Sequence, residues 1–141
     1  MKHIVVFIFV LFFTPHARAD VPPDTLIAAL IQKESSNNDN PTPGDDGTAF
    51  GPLQIRQGCI DDVNERCGTT YRAEDMQGNR PLSIWICRRY IDMYATKSRI
   101  GRSPTIEDMA RIWNGGPIGW KKKSTSRYWQ DVRRILLERS S

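Results

Sequence analysis

An apolar stripe at the helical period, Ile27, Leu30 and Ile31, ends on a carboxylate, Glu34, after which the chain enters a loop dense in helix breakers. The spacing i, i+3, i+4, i+7 marks one face of a helix, so Glu34 falls on the side that packs inward. Burial and the negative end of the helix dipole both disfavour its charged form, and push Glu34 toward a protonated acid near neutral pH. Pro41, Pro43, Gly44 and Gly47 then force a loop that carries two more carboxylates, Asp45 and Asp46. That loop runs into Gly51-Pro52-Leu53-Gln54-Ile55, where the Gln54 amide is suited to hydrogen-bonding a polar substrate. The chemistry suggested is one raised acid facing one ionised carboxylate.

The helical period recurs along the rest of the chain. The first helix starts at Val21-Pro22-Pro23-Asp24, where prolines suit the first turn and Asp24 complements the positive dipole end. Further helices are expected over Pro52–Glu65, Pro81–Lys97, from Ser103-Pro104 (as N-cap and first residue) to Asn114, and over Ser126–Glu138. Asn114-Gly115-Gly116-Pro117 stops the helix that Ser103-Pro104 opens. Strand-period stretches are only a few residues long, with room for a short hairpin near Thr48–Phe50. The expected fold class is therefore mainly α with at most a small β-hairpin.

Residues 1–19 read as a signal peptide. Met1-Lys2-His3 is a basic start, Ile4 to Phe13 is unbroken apolar sequence, and Ala17-Arg18-Ala19 is a cleavage site before Asp20. The apolar run is too short for a permanent span, so a single domain over residues 20–141 is expected, secreted or periplasmic and without stable membrane insertion. Losing Lys2 and Arg18 lowers the formal charge from +4 to +2. Mixed charges on a mildly basic chain give no concentrated basic face for nucleic acid, and Lys121-Lys122-Lys123 reads as a solvated loop. Both histidines, His3 and His16, leave with the leader, which removes Ser-His-Asp and Cys-His catalysis and histidine-held metal. No metal or other cofactor is called for. Cys59, Cys67 and Cys87 leave one odd thiol if two of them pair, and the pairing is open.

Three blocks stand in a fixed order: Glu34-Ser35, then Gly51 to Ile55, then Ala110-Arg111-Ile112-Trp113-Asn114-Gly115-Gly116-Pro117. Together with Asp45-Asp46-Gly47 and Thr125-Ser126-Arg127-Tyr128-Trp129 they resemble the lysozyme superfamily. The likeness is to soluble lytic transglycosylases, and more to invertebrate-type (destabilase-like) lysozymes with their bacterial and phage relatives. It spans Glu34 to Val132 and implies a lysozyme-like catalytic domain. Ser36 replaces a usual glycine, Trp113 stands where a histidine or tyrosine is common, and the dense disulfides of the invertebrate type are missing.

The resemblance assigns the general acid to Glu34, with Ser35 beside it, and the second carboxylate to Asp45 ahead of Asp46. Glycosidic cleavage needs a proton for the leaving oxygen and charge stabilisation for an oxocarbenium-like transition state, which two carboxylates with separated pKa values supply. Gln54 and Asn114 suit sugar hydroxyls and acetamido groups, and Tyr71, Trp113 and Tyr128 offer apolar faces to sugar rings. Alternatives stay open: Asp-Gly pairs are ordinary turn formers, and Trp113 completes a helical stripe. The function expected is a monomeric, lysozyme-type muramidase cleaving the MurNAc-GlcNAc β-1,4 bond of peptidoglycan glycan strands. A lytic transglycosylase making 1,6-anhydro products with Glu34 alone, or a non-catalytic glycan-binding module, are the other readings.

Overall fold

The computed structural model describes residues 22–141, so the expected signal peptide and cleavage site lie outside the described residues. Helices α1 (Asp24–Ser35), α2 (Gln57–Cys67), α3 (Arg80–Tyr94), α4 (Lys97–Ile100), α5 (Ile106–Gly115) and α6 (Ser126–Arg139) surround one core. Among the described residues the sheet is a single hairpin, β1 (Ala49–Phe50) against β2 (Ile55–Arg56), antiparallel, with Ala49 opposite Arg56 and Phe50 opposite Ile55. The mainly α expectation with a small hairpin is borne out. Among the described residues no helix is long and apolar enough to cross a membrane.

Each helix packs the stripe that its sequence provides. α1 buries Leu26, Ile27, Ala29, Leu30 and Ile31 and lies against α6 and α5. α3 buries Ile86, Cys87, Tyr90 and Ile91 between α2 and α5. Fully burying an aliphatic side chain contributes about 1.5–3 kcal/mol, and Leu30, Leu53, Ile60, Ile86, Ile91, Ile112 and Val132 are all buried in one cluster. All three cysteines are free thiols, Cys87 buried, Cys59 half-buried and Cys67 exposed.

Two helix starts differ from expectation, each for a local reason. α2 begins at Gln57 instead of Pro52 because Ile55 and Arg56 are drawn into the hairpin, and Gly51–Gln54 becomes its turn, closed by Gln54 N–H donating to Gly51 O at 3.0 Å. α5 is capped by Thr105, two residues past the expected Ser103. Thr105 accepts from the Asp108 amide at 3.1 Å and Asp108 accepts from the Thr105 amide at 2.8 Å, a reciprocal box that satisfies two otherwise unpaired donors. Asp108 is only 2% exposed and is also gripped by Arg102 through both oxygens, at 2.6 and 3.0 Å. The expected helix to Lys97 ends at Tyr94 and resumes as the single turn α4.

Candidate functional site

α1 stops where Ser36 and Asn37 turn left-handed (φ 53° and 66°), with their amides donating to Gln32 O and Ile31 O. That break leaves the Glu34 side chain on the floor of a cleft of about 360 Å³, whose walls come from the 45–59 segment, α3 and the end of α5. The Tyr128 hydroxyl of α6 donates to Glu34 Oε1 at 2.5 Å, tying the first helix to the last. Burial raises the Glu34 pKa above its ordinary 4.5, against the opposing pull of Tyr128, Lys33 and Trp113, and nearby negative Asp45 adds to the rise. Burial, reinforced by the charge of Glu34, likewise pushes the Tyr128 phenol well up, so it stays a donor.

The raised acid carries a signed consequence. Between pH 4.5 and the higher value held in the fold, the folded chain binds more protons than the unfolded one, so stability falls as pH rises through that window. Above it the desolvation cost is fully present. Glu34→Gln keeps an oxygen for Tyr128 and removes the charge, so at pH 7 its melting temperature should exceed the parent's by roughly 3–5 °C, about 1 kcal/mol. Calorimetry at pH 4 should find little of that gain. An equal or lower melting temperature at pH 7 would discard the desolvation account.

Asp45 lines the same cleft, in a turn where Asp45, Asp46 and Gly47 all have positive φ (49°, 57° and 85°). Aspartate tolerates that region better than most side chains. Its Oδ2 accepts from Arg56 Nε at 2.8 Å and from the second guanidinium nitrogen, so it is half of an exposed ion pair. Trp113 and Asn114, from the last turn of α5, complete the cleft with Gly116 beyond it.

The remaining predicted residues are placed otherwise. Gln54 lines the cleft, but both ends of its amide are spent inside the protein: Oε1 accepts from Gly44 N–H at 2.9 Å and Nε2 donates to Gly51 O at 3.1 Å. Those bonds hold Gln54 at φ 48° and close the hairpin onto the loop. The Ser35 hydroxyl donates to Ile31 O at 3.1 Å. Tyr71 packs edge-on against Trp85, ring centres 6.0 Å apart, away from the cleft residues. Tyr128 acts from behind, through Glu34. Asp39, in the loop after α1, pairs with Arg80. Sequence reasoning missed Arg56 and Tyr90 as cleft residues; Arg56 follows directly on the Gly51–Ile55 block, and Tyr90 shares the helical spacing of Leu82 and Ile86, which by itself marks only a packed face.

No family model matches the sequence, and no curated protein matches it. Among solved structures the chain is similar to a chain of the crystal structure of Aeromonas hydrophila PliI in complex with Meretrix lusoria lysozyme. The TM-score is 0.63 at 26% identity, over 82% of this chain and 91% of that one. This corrects the sequence reading at its main point. The structure it resembles is one of protein bound to protein, which points to recognition of a protein rather than to cleavage of peptidoglycan. The expected glycosidase, whether muramidase or lytic transglycosylase, is withdrawn. What the comparison leaves is a chain similar to one from a complex between PliI and a lysozyme.

Proposed function

We propose that this chain is an exported binding protein that forms a complex with another protein through the Glu34 cleft, as one half of a pair of the PliI–lysozyme kind. The observation that carries the reading is the cleft itself. A concave site of about 360 Å³ with an aromatic wall (Trp113), a side-chain amide (Asn114) and a buried acid receives a partner's projecting loop. The similarity to a chain of the PliI complex supports it, and so does the ordered set of lysozyme-like blocks, whose residues Glu34 and Trp113-Asn114 meet at this one place. The apolar leader ahead of Asp20 supports export.

Isothermal titration of the purified chain with PliI, and separately with Meretrix lusoria lysozyme, tests the proposal. The expected result is one-to-one binding to one of the two, which also tells which half of the pair this chain takes. Binding to neither would overturn it, and so would clearing of purified peptidoglycan by this chain alone.

A further inference from the structure

Tyr90 is 6% exposed, and its ring is accounted for by packing. It meets Tyr94 edge-on at 4.9 Å and Trp113 edge-on at 6.1 Å, contacts that a phenylalanine would make equally well. Its hydroxyl makes no hydrogen bond among the described residues, and it is not a buried orphan, since the buried polar atom without a partner is Asp92 Oδ1; the phenol oxygen is open to the cleft. Tyr94 beside it donates to Asp62 at 2.8 Å, and Tyr128 of α6 donates to Glu34.

Tyr90 lines the cleft next to Gly116, and a Cβ built on Gly116 would lie 3.8 Å from the phenol oxygen. Gly116 sits at φ 82°, ψ −168°, a region open essentially to glycine alone, so the backbone there stays without a side chain and the hydroxyl stays reachable from the cleft. We propose that the Tyr90 hydroxyl is a ligand-reading group that donates a hydrogen bond to an amide carbonyl which the bound partner carries into the cleft beside Gly116. Burial pushes the phenol far above its ordinary pKa, so the group stays a neutral donor. A carbonyl is a matching acceptor, and the Trp113 ring, the Asn114 side chain and the bare Gly116 backbone line the same cleft, where the amide to which it belongs would sit. The inference rests on the cleft being the binding site, and takes the amide to come from a loop of the partner protein.

The test labels the tyrosine Cζ carbons with ¹³C and follows Tyr90, assigned through Tyr90→Phe, during titration with PliI, with Meretrix lusoria lysozyme and with N,N′,N″-triacetylchitotriose. The expected result is a Tyr90 shift with the protein that binds, and a Tyr90→Phe variant that binds it about 5-fold more weakly at an unchanged melting temperature, as loss of one net hydrogen bond to ligand alone requires. Tyr94→Phe, whose hydroxyl is engaged by Asp62 outside the cleft, should bind as the parent does. Binding with no Tyr90 shift, or equal affinity of Tyr90→Phe, would overturn the inference and leave the binding function standing. A shift with triacetylchitotriose alone would keep the carbonyl but overturn the protein partner, and no shift with any of the three would overturn the carbonyl-reading role.

Discussion

Gly51→Ala is expected to cost roughly 2–5 kcal/mol, a large part of the 5–15 kcal/mol that holds a domain together, and to lower the urea midpoint accordingly. Two effects add. The position sits at φ 72°, where an L side chain costs about 1–2 kcal/mol. Its Cβ would also stand 2.3 Å from the Met76 carbonyl oxygen, and Met76 is fully buried. The residue has no room to retreat, because its N–H donates to Gln77 Oε1 at 2.9 Å and Gln77 Nε2 in turn donates to Pro41 O. Overpacking of that kind costs a further 1–3 kcal/mol or so. Gly47→Ala separates the two effects: φ is 85° but the space is open, so only the backbone cost, about 1–2 kcal/mol, should appear. Equal losses at both positions would show that the hairpin shifts freely against the Ala73–Met76 turn.

Trp113→Ala should weaken partner binding by at least ~30-fold, the range of interface positions that dominate affinity, among which tryptophan is enriched. Its ring forms one wall of the cleft, meets Tyr90 edge-on and stands near enough to Glu34 to oppose the rise in its pKa. Trp113→Phe keeps an aromatic wall and should restore most of the affinity. Titration well below the melting point, with near-ultraviolet dichroism to confirm the fold, gives the comparison. A folded Trp113→Ala chain that binds like the parent would move the interface elsewhere.

The helices were legible because packing and pattern agree in them: α1 ends at Ser35 and α6 begins at Ser126, where the apolar stripes and breakers put those boundaries. The 51–56 segment misled because its apolar residues fit a short helix as well as a turn and strand. What decided it was non-local, the pairing of Ile55 and Arg56 with Ala49 and Phe50 and the capture of Gln54 by the Gly44 amide. The start of α5 slipped because Ser103-Pro104 is a good cap in isolation, while Asp108 also draws Arg102 toward the Thr105 box. In the site, Glu34 could be read from the end of its stripe. Gln54 could be read as polar and near, but not as already satisfied, since that depends on a loop folding back over it. The function drawn from residue order failed where the comparison reached a protein complex, because a cleft and a buried acid serve recognition as readily as catalysis.

The bond from Tyr128 to Glu34 joins positions 94 residues apart in the chain. A ribosome delivers the α1 side of that pair long before the α6 side, so the face of α1 that packs on α6 waits uncovered until the last helix emerges. The cleft is therefore among the last parts of the molecule to take shape, and closing so long a loop slows the step that completes it. A chain cut short before α6 lacks the cover for α1, not merely a terminal helix. For a nascent chain of this design, the interval before the last helix arrives is when aggregation threatens most.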